Sequence, residues 1–269
     1  MRLTLLVFVL ATTLGNVSAV AEPTRLRVLT YNIHHGEGVD EKLDLERIAK
    51  VIRAESPDLT AIQEVDRGTE RARQIDEPAQ LSKLTEMDVV FQKNIDHEGG
   101  DYGNVVLSNL PIKSHADVKF PSLAEPQPVE QREQRGMLVV EVEIQPGESI
   151  WFGCTHLDCR RQDQERFKSA DVINEWFRSK HPQAPAVLAG DLNATPDSRV
   201  LSRLGAVWKK AQQAEIPTVP VKSPRRQIDY IMYQPANRWR TVETRVLEES
   251  VASDHRAYVA ILELLPPAE

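Results

Sequence analysis

The chain has 269 residues, of which 41% are hydrophobic and 27% charged, so it can bury a sizeable core in one large domain or two small ones. Its formal net charge of −7 disfavours loose, sequence-independent binding to long nucleic acids, although a local basic patch is not excluded. Cys154 and Cys159 lie too far apart in an extended segment to form a disulfide, so stability must come from the core.

The first 21 residues have the pattern of a secretory signal. Arg2 precedes an apolar run, and Ala19-Val20-Ala21 offers a small-x-small cleavage site before Glu22. The apolar run, residues 3–14, is shorter than a membrane span requires. We therefore expect cleavage near Ala21, a mature domain over residues 22–269, a secreted or periplasmic location and no stable membrane anchor. Removing one arginine gives a mature net charge of (33 − 1) − 40 = −8.

In the first half of the mature chain, short strand-like runs, either apolar throughout or alternating apolar and polar, are separated by amphipathic helical stretches. Strands are predicted at residues 26–31, 59–63, 89–92, 105–108 and 112–120, and helices at 43–55 and 78–86. The last two of these strands flank Asn109-Leu110-Pro111 and are expected to pair with each other. Glu64 is placed at the end of its strand, Asp66–Arg73 reads as an exposed loop, and Glu98–Gly103 and the proline-rich residues 121–128 read as surface turns.

The second half has the same character. Strands are predicted at residues 136–144, 150–157, 185–188, 228–232, 239–246 and 258–264, and helices at 161–180 and 197–204. The first two strands form a hairpin through Pro146-Gly147. Several strands follow one another too closely for crossover helices, which favours mostly antiparallel or mixed sheets. Two such sheets packed face to face, with helices outside, account for about ten strands and for the amphipathic helices.

Polar side chains stand at the predicted strand ends. Asp191 and Asn193 follow a buried apolar strand, with Gly190 and Pro196 marking its exit, and two residues apart they point the same way while the chain is extended. The whole set is Asn32, Glu64, His156, Asp191, Asn193, Asp229, Asp254 and His255. Carboxylate and amide oxygens suit Mg²⁺, Mn²⁺ or Ca²⁺ rather than zinc. Histidines and a further aspartate supply a base, its orienting partner and a donor to phosphate, which are the parts that hydrolysis at phosphorus needs.

Seven short segments containing these residues follow one another in a fixed order. They are Thr30–Asn32, Gln63–Val65, Gly103–Ser108, Thr155–Leu157, Gly190–Asn193, Ile228–Tyr230 and Ser253–His255. Together they resemble the endonuclease/exonuclease/phosphatase superfamily of metal-dependent phosphoesterases, from residue 28 to about 262. The resemblance implies a four-layer α/β sandwich, with the site at one edge of the two sheets.

The resemblance also implies a metal site. Glu64, with Asn32 nearby, would hold the main ion, which is Mg²⁺ or Mn²⁺, with Ca²⁺ as a further candidate. Asp254 would lie close to this ion, directly or through water.

Catalytic roles are implied in the same way. His255 would be the general base, oriented by Asp229. Asp191 would position the attacking water or help to deprotonate it, and Asn193 and His156 would contact the phosphate.

Substrate contacts are less well defined. Arg67 and Arg160 follow two of the site strands and are candidates for an anion-binding rim, while Asn104 and Arg135 either contact phosphate or brace loops. The superfamily includes nucleases, inositol-phosphate phosphatases and sphingomyelinases. We expect an anionic phosphoester as the partner and a monomeric protein.

A small or single-stranded phosphoester is favoured over duplex DNA. The mature charge is negative, the basic residues gather near the site strands instead of forming one long track, and the loops are mostly short. A secreted nuclease acting on DNA or RNA is the alternative, because a local basic rim can serve a nuclease. A protein that binds a phosphate ligand on this fold without turnover is the non-enzymatic alternative.

Overall fold

The structure, a computed structural model, describes residues 24–122 and 133–267. The predicted signal segment and most of the proline-rich stretch 121–128 lie outside the described residues. Within the described ranges, no helix combines the length and the apolar character that crossing a bilayer requires.

Twelve strands and four α-helices make up the described part of the chain. The strands are β1 Thr24–Asn32, β2 Leu59–Arg67, β3 Asp88–His97, β4 Gly100–Ser108, β5 Ile112–Lys119, β6 Gly136–Gln145, β7 Glu148–His156, β8 Ala186–Asp191, β9 Lys209–Lys210, β10 Asp229–Gln234, β11 Trp239–Val246 and β12 Tyr258–Leu264. The helices are α1 Leu45–Glu55, α2 Glu77–Thr85, α3 Gln164–Lys180 and α4 Arg199–Leu204, and short 3-10 turns occupy His34–Gly36 and Ala236–Arg238.

The strands form two six-stranded mixed sheets. Their orders are β11-β12-β1-β2-β4-β3 and β5-β6-β7-β8-β10-β9. The β1–β2 and β7–β8 pairs are parallel, and the other pairs are antiparallel. The prediction of two mostly antiparallel mixed sheets in an α/β sandwich is confirmed.

Three apolar clusters separate the four layers. The central one joins the facing sides of the two sheets and includes Val28, Val106, Val140, Phe152 and Val187. A second packs α1 and α2 on the outer face of the first sheet, through residues such as Ile48, Ile52, Leu81, Leu29 and Val105. A third packs α3 and α4 on the second sheet, through Ile173, Phe177, Leu201, Met137 and Leu188. The central strands are buried on both faces, which explains why they read as continuous apolar runs.

Local signals fix the helix ends. The Asp44 side chain accepts a hydrogen bond from the backbone N–H of Arg47, which satisfies one of the free donors at the start of α1. That helix ends at Ser56, whose φ of 47° is left-handed, and Pro57 follows. Asp76 caps α2 in the same way, with Pro78 in the first turn. The helices predicted at 43–55 and 78–86 lie within two residues of these observed bounds.

The predicted pairing of the two strands around Asn109–Pro111 is wrong. β4 lies between β2 and β3 in the first sheet, whereas β5 pairs with β6 in the second. The chain therefore crosses from one sheet to the other at this point. A short turn between two strands suits a hairpin and a crossing equally well, and the burial of the strands distinguishes them. β4 is buried on both faces, as a central strand must be, while β5 is mostly exposed, as an edge strand can be.

The predicted turn at Glu98–Gly103 is largely strand. β3 continues to His97 and β4 begins at Gly100, so only two residues turn the chain. A Cβ at Gly103 would lie 1.8 Å from the backbone oxygen of Gln92, so this glycine permits close strand contact instead of marking a turn. Through His97 and Tyr102 the hairpin also lines the pocket described below.

Candidate active site

Glu64 lies in a β-bulge inside β2, not at the end of the strand as predicted. The register against β4 shifts between Ile62 and Val65, and the φ of Glu64 is 59°. This left-handed residue is the extra one in its strand, which breaks the alternation of side chains. Its carboxylate is 23% exposed and accepts a hydrogen bond from Asn32 Nδ2 at 2.8 Å.

Asn32 ends β1 and connects three parts of the site. Its Nδ2 also donates to Asp191 Oδ2 at 3.2 Å, and its Oδ1 accepts from the backbone N–H of His34 at 3.1 Å. Its backbone oxygen accepts from Ser253 Oγ at 2.7 Å. Because the amide nitrogen faces the carboxylates, Asn32 here holds Glu64 and Asp191 together, and its role as a metal ligand stays a prediction.

Asp191 is the last residue of β8, and Gly190 lies within that strand. A Cβ at Gly190 would lie 1.9 Å from the backbone oxygen of Thr155, so only glycine lets β7 and β8 approach here. Asn193 is left-handed, with φ 46°, and its backbone N–H donates to Asp191 Oδ1 at 2.8 Å. The two side chains do line one pocket, but a tight turn brings them together instead of an extended chain.

His255 and Asp229 form a buried pair. His255 Nδ1 lies 3.0 Å from Asp229 Oδ2, and Thr218 Oγ1 donates to the same carboxylate oxygen. The backbone N–H of His255 donates to Ser253 Oγ at 3.2 Å. These contacts fix the ring so that Nε2 faces the pocket, 3.7 Å from Asp191 Oδ2.

His156 ends β7, directly opposite Gly136 at the start of β6. Arg135 Nη1 lies 2.8 Å from His156 Nδ1 and can only donate, so Nδ1 accepts and the proton of a neutral ring is on Nε2. That Nε2 lies 3.5 Å from Asp191 Oδ2 and 4.0 Å from Glu64 Oε1. Asn193 Nδ2 lies 3.1 Å from the same atom, but both are donors, so the amide donates to the backbone oxygen of Leu157 instead.

The electrostatics separate the two histidines. Burial, together with the charges of Arg135 and His255, lowers the pKa of His156 well below its usual range, so this ring is neutral at neutral pH. Burial also acts to lower the pKa of His255, but Asp229, Asp191 and Asp254 outweigh it and raise this pKa to about 10. Burial and the charge of Asp229 raise the pKa of Asp191 to about 7.

A pocket of about 280 Å³ lies over these groups. The residues that line it include Glu64, His156, Asp191, Asn193 and His255. Arg71, Arg135, His97 and Tyr102 line it as well. The structure thus brings most of the predicted strand-end residues to one cavity.

The candidate substrate residues are placed differently from the prediction. Neither Arg67 nor Arg160 lines the pocket, because each is held elsewhere by acidic partners. Arg67 pairs with Asp101 and lies 4.4 Å from the ring centre of Phe91, and Arg160 pairs with Asp158 and Glu165.

Asn104 makes contacts that hold neighbouring strands together. It is buried, its Nδ2 donates to Gln92 Oε1 and to the backbone oxygen of Gly136, and it thereby ties β4 to the start of β6. Its Oδ1 has no hydrogen-bond partner among the described residues. Arg135 is the predicted alternative that does face the pocket.

The donor set fits a hard divalent cation. Glu64 and Asp191 line the pocket and are bridged by Asn32 Nδ2, and one ligand atom from each of Asp191, Asp229 and His255 lies within 4.8 Å of the others. Asp229 Oδ1 is buried and has no hydrogen-bond partner in the described part of the chain. His255 and Thr218 contact the other oxygen of this carboxylate, and a bound cation would satisfy Oδ1. Glu64 is the most accessible of the three carboxylates, which favours it as the main ligand.

Asp254 does not line the pocket. It is exposed, and its carboxylate lies 3.4 Å from Ser253 Oγ. It influences the site through its charge on His255. A direct or water-mediated contact with a metal stays a prediction.

Sequence reasoning missed three residues of the site: Thr218, Tyr102 and His97. Thr218 lies in an irregular polar stretch 11 residues before Asp229 and carries no local signal. Tyr102 was assigned to a turn. Arg71 belongs to the same arginine cluster as the rim candidate Arg67, and it does line the pocket, although the burial of its partner Asp66 was not predicted. An acid at a strand position five residues before an arginine was the signal that could have indicated this pair.

Comparisons with known proteins agree with this geometry. A sequence profile of the Endonuclease/Exonuclease/phosphatase family matches residues 29–255. No curated protein sequence matches the chain. Among solved structures, an endonuclease/exonuclease/phosphatase from Beutenbergia cavernae is 26% identical, with a TM-score of 0.74 over 90% of this chain and 72% of that one.

Two further solved structures share the fold at lower identity. A mannosyl-6-phosphatase from Bacteroides thetaiotaomicron is 16% identical, with a TM-score of 0.72 over 88% of this chain and 99% of that one. The catalytic domain of human Nocturnin, solved with a bound sulfate anion, is 18% identical, with a TM-score of 0.71 over 90% and 94% of the two chains.

Proposed function

The chain belongs to the endonuclease/exonuclease/phosphatase family, and on this premise we propose that it is an exported, metal-dependent hydrolase of small phosphate esters. One observation carries the proposal: a base with its orienting carboxylate, a metal-type carboxylate and a neutral hydrogen-bond donor meet in one small pocket. Export rests on the signal-like pattern of residues 1–21.

His255 acts as the general base. Asp229 and Thr218 fix the ring so that Nδ1–H donates a hydrogen bond to the Asp229 carboxylate and Nε2 accepts a proton from a water in the pocket. Asp191, whose Oδ2 lies 3.7 Å from Nε2, orients that water and helps to deprotonate it. A base must be unprotonated, so the pKa of His255 must fall below the value of about 10 that the carboxylates give it. A cation that neutralises the negative charge of those carboxylates would lower this pKa.

His156 and Asn193 stabilise the phosphate. Since His156 is neutral with its proton on Nε2, it donates a hydrogen bond without giving up the proton. The Nδ2 of Asn193 points at the same region. Donors that are already in place stabilise charge on the phosphoryl oxygens as it develops.

The metal would be Mg²⁺ or Mn²⁺, with Ca²⁺ as a further candidate. Glu64 would hold it, with Asn32 and Asp254 as further predicted ligands. When bound, such an ion would neutralise the phosphate and polarise its oxygens.

The pocket supports a small substrate. Its volume of about 280 Å³ is just below the roughly 300–1,000 Å³ of sites for drug-sized ligands. Its two arginines are each paired with an acid, Arg71 with Asp66 and Arg135 with Glu133, which leaves little free positive charge to follow a nucleic-acid backbone.

A panel of phosphoesters tests the proposal. Phenyl phosphate, bis(p-nitrophenyl) phosphate, glucose 6-phosphate, a single-stranded oligonucleotide and plasmid DNA are each assayed with Mg²⁺, Mn²⁺, Ca²⁺ and EDTA. We expect turnover of small esters with Mg²⁺ or Mn²⁺ and none in EDTA. Full activity in EDTA would contradict metal dependence. A preference of orders of magnitude for plasmid DNA at low and moderate salt would support the nuclease, and binding of phosphate without any turnover would support the binding protein.

A further inference from the structure

Arg71, His97 and Tyr102 line the pocket and have no role in the proposed hydrolysis. The Arg71 guanidinium carbon lies 5.4 Å from the ring centre of Tyr102, and the His97 and Tyr102 ring centres are 6.1 Å apart. They are therefore one continuous surface, formed by the loop after β2 and by the β3–β4 hairpin. We call these three residues the leaving-group wall.

Arg71 is held in a fixed orientation. Its Nε and Nη2 donate to the two oxygens of Asp66 at 2.6 and 2.9 Å, and its backbone N–H donates to Glu98 Oε2 at 3.0 Å. Asp66 is fully buried and also accepts from Thr69 Oγ1. A planar guanidinium clamped on two nitrogens points its third nitrogen in one direction. That atom, Nη1, has no hydrogen-bond partner among the described residues.

The other two residues also offer unused polar atoms. His97 Nε2 is buried without a hydrogen-bond partner in the described chain, and the nearest carboxylate oxygen, on Glu98, is 3.6 Å away. The Tyr102 hydroxyl has no protein partner within the described residues either. Hydrogen-bonding groups that no protein atom satisfies at a pocket surface are free to bind water or a ligand with matching donors and acceptors.

The charge balance selects the ligand chemistry. Asp66 neutralises Arg71, so the wall has no excess positive charge to attract a second phosphate. Arg135, the other arginine of the pocket, is likewise paired with Glu133 and adds no free positive charge. Three unused hydrogen-bonding groups without net charge match a neutral group with several hydroxyls, and the pocket volume admits one ring of this kind.

We propose that Arg71, with His97 and Tyr102, determines specificity for the leaving group, and that this group is an uncharged, hydroxyl-rich ring such as a monosaccharide. This inference rests on the proposed hydrolysis of small phosphate esters. It assigns Arg71 to the leaving group and the metal-side residues to the phosphate.

The test compares two phosphomonoesters that share the phosphate and differ in hydroxyls, glucose 6-phosphate and phenyl phosphate. Arg71→Lys keeps a cation beside Asp66 but removes the clamped fork, so the fold should persist. Tyr102→Phe removes one hydroxyl that has no protein partner. Arg73→Lys is the matched control, since Arg73 is exposed in the same loop and does not line the pocket.

Arg71→Lys should lower kcat/KM for glucose 6-phosphate at least about tenfold more than for phenyl phosphate, and Tyr102→Phe should act in the same direction. Arg73→Lys should change neither substrate. An equal loss on both substrates would place these groups on the phosphate and overturn the inference while the proposed function stands.

Binding provides a readout that does not need turnover. Calorimetry on His255→Ala, with and without Arg71→Lys, compares the affinities for the two compounds in Mg²⁺. If the wild type hydrolyses neither compound with any cation, the proposed function fails. The binding result alone then decides whether the leaving-group wall recognises a hydroxyl-rich ring. A preference for glucose 6-phosphate that Arg71→Lys removes supports it, and equal affinities, or a preference that survives the substitution, overturn it.

Discussion

Replacing Glu77 with glutamine should make the protein more stable at pH 8 and leave its stability nearly unchanged at pH 5. Glu77 is the first residue of α2 and is fully buried. Its Oε2 accepts a hydrogen bond from the backbone N–H of Asp66 at 2.8 Å, two residues beyond the Glu64 bulge. Its Oε1 has no hydrogen-bond partner in the described residues, and a Cβ at Gly36 would lie 3.2 Å from it.

The magnitude follows from the pKa. Burial raises the pKa of Glu77 from 4.5 to about 8, although the Asp66 N–H opposes this shift. Between these two values the folded protein holds a proton that the unfolded chain has released. The stabilisation of the folded protein by protonated Glu77 is therefore complete below about pH 4.5 and is lost as the pH rises through 8. The difference corresponds to at most roughly 5 kcal/mol, and glutamine removes it because it keeps an acceptor for Asp66 without a charge.

Urea unfolding, followed by tryptophan fluorescence and circular dichroism, measures the effect at pH 5 and pH 8. The difference between Glu77→Gln and the wild type isolates this one group from all others that titrate. Glu86→Gln is the control, because Glu86 is exposed at the end of the same helix. If the free-energy difference between Glu77→Gln and the wild type is the same at both pH values, Glu77 is ionised in the folded protein and the reasoning fails.

The remaining predictions concern the site and the N-terminus. His255→Ala should lower kcat at least ~10²-fold, with metal affinity by calorimetry largely kept. Asp229→Ala should add little in the double variant, because the two residues act as one unit, and losses that simply add would contradict the pair. Gly190→Ala should lower Tm and soluble yield sharply, since its Cβ would lie 1.9 Å from the Thr155 backbone oxygen, and an unchanged Tm would show that β7 and β8 can separate. Mature protein should begin at Glu22, and N-terminal sequencing of active protein that finds Met1 or Arg2 would refute cleavage.

Local physical chemistry was sufficient for much of this protein. The apolar periodicity of residues 43–55 and 78–86 predicted α1 and α2 to within two residues of their observed bounds. The hairpin of β6 and β7 follows from a short turn between alternating runs. The order of the strand-end residues also predicted which chemical groups would meet, because strand ends converge at a sheet edge.

The tertiary structure decided what depends on distant parts of the chain. Whether β5 pairs with β4 or with β6 depends on which sheet has room for an exposed edge strand, and the turn at Asn109–Pro111 does not encode that. The bulge at Glu64 exists only against the register of β4. Which arginine faces the pocket depends on through-space acids, since Asp101 draws Arg67 away while Asp66 holds Arg71 in place. A sequence pattern reports short-range periodicity and chemical type, whereas burial, register and charge pairing are set only when residues far apart in the chain come into contact.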